Sequence, residues 1–263
     1  MGKKKVITLP SFGTLRFFFF LLLFVVITYV KDAMMSYEIN KGKERKFFDH
    51  GWLKTFHTFS FASYYDSRKM GFRSLRVINE DQVDPNHGFP LHEHKNMEII
   101  SIVLKGNLAH RDSMGNEVIL HPNEIQVMSA GTGIKHSEYN PSPTSPAHFL
   151  QIWIVPDTKN SKPHYQQAHL PTTLNEWHLI ASQSKENNSL QIQQDVGVYF
   201  LLLESEEQVS LPTHRYGWLQ VIDGSISFYG TVLEQGDSIA VQPETPLVLK
   251  GIETSRLLFF DLN

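Results

Sequence analysis

From residue 36 onward the chain consists of short segments rich in Val, Ile, Leu and Phe, punctuated by Gly, Pro, Asn and Asp. That pattern leaves few stretches with the 3.6-residue period of an amphipathic helix and predicts an all-β chain. Strands are expected over Ser74 to Ile78, Met97 to Leu104, Glu117 to Leu120, Ile125 to Met128, Phe149 to Val155 and Val198 to Leu203. Between them lie DPNHG, DSMGN and HPNE, whose residues favour turns. A second set follows at Gly217 to Ile222, Ser225 to Tyr229, Ser238 to Val241 and Leu257 to Phe260. The intervening stretch 156–175 is polar and carries prolines, so it reads as a connector between two strand-rich halves. VLKGNLAHRDSMGNEVILHPNEIQVMSAG in the first half and VIDGSISFYGTVLEQGDSIAVQPE in the second share an order of strand, Gly turn and strand. A duplicated barrel follows from that likeness. The expected division is 1–35 as an N-terminal extension, 36–160 as the first β domain and 161–263 as the second.

The extension is unlike the rest. A basic Met1 to Lys5 precedes the apolar run Phe17 to Val30, closed by Lys31 and Asp32. The run is shorter than the roughly 20 residues of a comfortable helical span, and VKDAMM has no Ala-x-Ala cleavage site. Three readings stay open: a short membrane tether, a processed export signal, or non-functional upstream sequence with the folded protein starting near Met34 or Met35. The third is favoured, because strand-and-turn sequence begins at once without a linker, and with it a cytoplasmic location.

Composition narrows the chemistry. With 24 basic and 27 acidic residues the formal charge is -3, which supplies no overall cationic field for direct nucleic-acid binding. The chain has no cysteine, so disulfides, thiol nucleophiles and cysteine-held metals are excluded and any metal must sit on nitrogen and oxygen. A monomer is the default expectation.

Two short pairs carry the strongest chemical signal. In LHEHKNMEI, His92 and His94 stand at i and i+2, and a strand places such residues on one face. In GTGIKHSEYN, His136 and Glu138 repeat the arrangement. If the two strands are neighbours, three imidazoles and a carboxylate meet, a donor set for one divalent Fe, Mn, Ni, Cu or Zn ion and a poor one for calcium. Glu98 shares parity with His92 and His94, which makes it a further ligand, a proton acceptor or a carboxylate that orients an imidazole. Phe56, Phe59, Phe61, Met97 and Met128 flank these motifs and either line a pocket or belong to the core, the latter being commoner. His57 and His110 are better explained as hydrogen-bonded structural residues than as catalytic ones. In the second half His214 stands alone, so that half is expected to hold no metal.

The segments HTFSFASYYD, GFRSLRVINED, GFPLHEHKNMEIISIVLKG, HRDSMGN and MSAGTGIKHSEYNPS, in this order, closely resemble the pirin family of the cupin superfamily. The likeness covers residues 36 to 263 and is strongest in the first half. It implies a bicupin, two antiparallel jelly-roll-like β-barrels of which only the first keeps an iron site. Carried onto this chain, the family's ligands fall on His92, His94, His136 and Glu138. The general cupin pattern has a glutamate after His-x-His, where this chain has Glu98; the family pattern makes Glu98 a pocket residue instead. Bacterial members resemble quercetin 2,3-dioxygenases, which implies Fe(II), a flavonol and O2 as partners, and Glu138 or Glu98 as the general base. Eukaryotic relatives imply an alternative, a metal-containing, redox-responsive protein-binding or transcription-cofactor module without catalysis.

Overall fold

The computed structural model describes residues 37–212, 215–242 and 247–263. The extension with Phe17 to Val30, and His214, therefore lie outside the described residues. Among the described residues no helix is long and apolar enough to cross a membrane.

Four sheets make up the described chain, in two similar halves. In the first, a seven-stranded sheet runs in the order His164–His169, Glu124–Ser129, Glu98–Lys105, Ala147–Ile154, Leu75–Val83, Leu53–His57, Lys46–Asp49. Its companion is a four-stranded sheet ordered Gly88–His94, Ile134–Tyr139, Leu108–Asp112, Glu117–Leu120. The second half repeats the seven-plus-four arrangement, with Tyr216–Asp223, Ser255–Leu262 and Val196–Leu203 at the centre of its large sheet. These are two cupin-type domains, as expected. Their hydrogen-bond ladders remain separate sheets and do not join into closed barrels. Among the described residues Ala181 and Ser182 run parallel to Leu190 and Gln191, and Leu174 makes an isolated parallel bridge to Leu202; the ladders named above within the first half are antiparallel.

Burial explains the sequence patterns. Glu98–Lys105 (EIISIVLK) is buried along nearly its whole length, which is why it shows no alternation. Ile99 and Val103 contribute to clusters within the first half, whereas Ile100 and Ile102 join Val198, Phe200, Leu258 and Phe260 in the core shared by both halves. Ile134–Tyr139 has one wet face, so it alternates: Ile134, His136 and Glu138 are buried, Lys135 and Tyr139 exposed.

The halves exchange edge strands. The strand that ends at Asn40 lies beside Ser238–Val241 in the second half's sheet. Conversely, His164–His169 pairs with Glu124–Ser129 of the first half, so a division at residue 160 separates this strand from its sheet. The stretch read as a connector thus contains a strand that apolar patterning could not reveal. Its side chains reach the neighbouring strand partly through polar contacts: Tyr165 Oη donates to Gln126 Oε1 at 3.1 Å and Gln167 Nε2 to Glu124 Oε2 at 3.2 Å. The exchange is fastened by Gly42, whose N–H donates to Asp237 Oδ1 at 2.6 Å, and by Lys41, which pairs with the same carboxylate. Glu80 completes the join, bound by Arg45 at 2.8 Å, His148 at 3.0 Å and Gln235 at 3.1 Å. Burial opposes its ionisation, but His148 and Arg45 prevail and hold its pKa down to about 2.

Candidate metal centre

The strands Gly88–His94 and Ile134–Tyr139 are antiparallel neighbours, and their register sets His136 directly opposite His92. A bulge follows, because Glu138 is opposite Phe89. The close approach needs a glycine at position 88: a Cβ there would lie 2.2 Å from the carbonyl oxygen of Glu138.

His92, His94 and His136 each offer a ring nitrogen, and these nitrogens all lie within 4.8 Å of one another. His92 Nε2 and His136 Nε2 are 3.0 Å apart. Two nitrogens bound at right angles to one ion at about 2.1 Å would be separated by about 3.0 Å, so this spacing fits neighbouring ligands of a transition metal. The second nitrogen of His92 supports the same use: Nδ1–H donates to the carbonyl of Pro90 at 2.8 Å, which leaves the Nε2 lone pair facing His136. Burial, followed by the neighbouring imidazoles, pushes the pKa of His94 down to about 4 and that of His136 to about 3. Both rings are therefore neutral near pH 7, as metal binding requires. Trp153 meets His94 edge to face at 4.9 Å and restrains its ring.

Glu138 occupies a different place in the cluster. A carboxylate oxygen groups within 4.8 Å of nitrogens of His110 and His136, not with the His92 and His94 set. Its Oε2 accepts from Gln151 at 2.6 Å, and its Oε1 accepts from Gln126 and Ser101, both at 3.1 Å. Three donors thus aim this buried carboxylate. His110 is buried beside it, hydrogen-bonded to Asp112 at 3.2 Å and stacked on Tyr165 at 4.9 Å.

Glu98 departs from expectation. The parity that linked it to His94 fails because the strand breaks at Lys95–Met97, where Asn96 takes a φ of 50°. Within Glu98–Lys105, Ser101 faces Glu138, so Glu98, three positions away, falls on the opposite face. It accepts from Ser129 Oγ at 2.5 Å, and burial pushes its pKa up against the hydrogen bonds of Ser129 and the Gln193 backbone. Glu98 is thus a buried carboxyl that faces Ser129, on the side of its strand away from Glu138.

A cavity of about 370 Å³ adjoins His92, His94 and Glu138. It is large enough for a small organic molecule. Leu53, Phe61, Phe89 and Trp153 form its apolar walls, and Thr55, His57, Asn79, Asp81 and Gln151 its polar ones. Of the flanking apolar residues singled out in the sequence, Phe61 alone lines this space. Phe59 packs on Trp218 at 5.0 Å, Phe56 lies against Phe47 at 4.8 Å, and Met97 and Met128 join the cluster of Ile99, Ala130 and Ile134. The polar wall was missed, although alternate polar residues in apolar strands, Asn79 and Asp81 in LRVINEDQV and Gln151 in AHFLQIWI, are its signature. Burial first, then the charges of Glu138 and Glu80, push the pKa of Asp81 up to about 7. His57 is lowered to about 4, by burial and then by His50.

Comparison with known proteins places this geometry in context. Residues 39–154 match the family model described as Pirin, and residues 179–262 the one described as Quercetinase C-terminal cupin domain. A quercetin 2,3-dioxygenase from Escherichia coli (strain K12) is 41% identical over 226 residues, which cover 85% of this chain and 97% of that protein. A pirin-like protein from Caulobacter vibrioides is 37% identical over 218 residues, covering 81% and 94% respectively. The crystal structure of a bacterial pirin from Escherichia coli in complex with nickel(II) matches with a TM-score of 0.82 at 40% identity, over 86% of this chain and 99% of that one.

Proposed function

The chain belongs to the pirin family, and on that premise we propose that it is an Fe(II)-dependent oxygenase that opens the heterocyclic ring of quercetin-like flavonols with O2, releasing carbon monoxide. The observation that carries this reading is the roomy, largely apolar cavity set against His92 and His94. A purely structural or protein-binding centre has no need of such space beside its ligands, so the enzymatic reading is preferred to the cofactor-module one.

His92, His94 and His136 would hold the metal, with Glu138 as the fourth candidate ligand. A bound divalent ion supplies Lewis acidity that makes the flavonol 3-hydroxyl easier to ionise, together with the redox chemistry by which dioxygen reacts. The protein's own groups do the rest. Phe61, Phe89 and Trp153 receive flat aromatic rings and exclude water from the reacting carbon. Glu138, aimed by Gln151, Gln126 and Ser101, is the group to take the 3-hydroxyl proton before oxygen adds at carbon 2. The nickel(II) complex of the Escherichia coli pirin supports a single divalent metal in this fold.

The test is oxygen uptake with simultaneous loss of flavonol absorbance, using anaerobically Fe(II)-reconstituted protein, a metal-free control and His94→Ala. Turnover should require both the metal and His94. Full metal occupancy without turnover on any flavonol would reject the reading.

A further inference from the structure

Two strands of the large sheet, Leu53–His57 and Leu75–Val83, send polar side chains into the cavity as cross-strand pairs: Thr55 opposite Asp81, and His57 opposite Asn79. All four residues are buried. His57 Nδ1 and Asn79 Oδ1 have no hydrogen-bond partner, and the Thr55 hydroxyl has only the Asp81 carboxyl opposite it. Buried polar atoms are normally paired, and here His57 Nδ1 and Asn79 Oδ1 stand unpaired beside the Thr55 hydroxyl in a single wall of one cavity. The neighbouring positions of the same parity show that these strands would accept apolar residues there: Leu53, Val77 and Val83 are all buried.

We infer that Thr55, His57, Asn79 and Asp81 form a hydrogen-bonding strip that reads the hydroxyl groups of the substrate remote from the metal, and so selects polyhydroxylated flavonols over bare ones. The inference rests on the flavonol reading above. The chemistry of the strip indicates its ligand: a hydroxyl both donates and accepts, which suits a wall that mixes an amide oxygen, an imidazole nitrogen, a hydroxyl and a carboxyl. An anionic substrate fits poorly, because among the described residues no lysine or arginine lines the cavity, whereas Asp81 and Glu138 do. The strip therefore determines specificity by position, while proton transfer at the reacting hydroxyl remains with Glu138.

The test separates recognition from chemistry by measuring binding without oxygen. Nickel(II)-loaded protein is titrated anaerobically with quercetin and with 3-hydroxyflavone, which lacks every hydroxyl but the one that reacts, and Trp153 serves as a fluorescent reporter beside the bound ring. Wild-type protein should bind quercetin about tenfold more tightly or better, since a site built for hydroxyls penalises their loss. Asn79→Leu and the near-isosteric Thr55→Val should each weaken quercetin binding about tenfold and leave 3-hydroxyflavone within about twofold. Equal affinities of the wild type for the two ligands, or equal losses for both in the variants, would overturn the inference. The wild-type comparison needs no variant to fold. Discrimination without turnover in air would sink the oxygenase reading and keep the strip; turnover without discrimination would do the reverse.

Discussion

His92 and His136 face each other across two antiparallel strands, Nε2 to Nε2 at 3.0 Å, with the other nitrogen of His92 tied to the carbonyl of Pro90. Register brings the two Nε2 atoms to one point, the tautomer of His92 leaves its lone pair there, and His94 supplies the third nitrogen from the same strand as His92. Replacing any one of the three with alanine should weaken nickel(II) binding more than about 100-fold, beyond what loss of an orienting partner does. Competition titration against a chelator measures this. Unchanged affinity in a folded His136→Ala protein would place the metal elsewhere.

Glu138 should separate from the histidines in its effect. Glu138→Gln keeps the shape but removes the charge and the basic oxygen that Gln151 and Gln126 support. As a general base it contributes about 100-fold or more to turnover, so kcat should fall by at least that factor. Metal content and flavonol Kd, measured alongside, show which role dominates: a base loses rate at full occupancy, whereas a required ligand loses the metal as well. Normal turnover at normal occupancy would remove Glu138 from the mechanism.

Glu98 should be dispensable for chemistry. It lies on the far face of its strand from Ser101 and Glu138, and burial disfavours its charged form. Glu98→Gln keeps an acceptor for Ser129 while removing the ionisable group. Metal content and oxygen uptake should stay within about twofold of wild type, and thermal stability at neutral pH should rise. Loss of metal from a stable Glu98→Gln protein would restore Glu98 to the site.

How much of this was legible in the sequence depends on whether a signal was local. His92 and His94, and separately His136 and Glu138, each occupy one unbroken strand, so a period of two placed each pair correctly. Only the pairing of those strands, a long-range fact, brings His136 opposite His92. Glu98 was misread because the same period was carried across Lys95–Met97, where the chain leaves the extended conformation at Asn96. His164–His169 was read as connector because its own residues, HYQQAH, are mostly polar, and its place in the first half's sheet comes from a strand exchange that no local pattern encodes. The polar wall of Thr55, His57, Asn79 and Asp81 was visible as alternation, but its meaning needed the cavity, and the cavity needs both sheets.

Asp81 gives a prediction whose sign can be worked out from one group. Burial first, then the charges of Glu138 and Glu80, raise its folded pKa to about 7, while the unfolded chain keeps the ordinary 3.8. Between those values the native state holds a proton that the unfolded state releases. Stability is therefore lost as pH rises through this window, and the penalty is complete above about 7. Asp81→Asn cannot ionise and escapes the penalty. For metal-free protein, the variant should be more stable than wild type near pH 8.5, by at most about 4 kcal/mol for roughly three pH units at about 1.36 kcal/mol each. The advantage should shrink as pH falls through this window and approach zero only below about pH 3, where the carboxyl is protonated in both states. Thermal denaturation of both proteins across that range reads the difference directly. A difference in Tm that stayed constant with pH would show that Asp81 ionises in the cavity as it does in water, and that its carboxylate has a cation or a donor to stabilise it there.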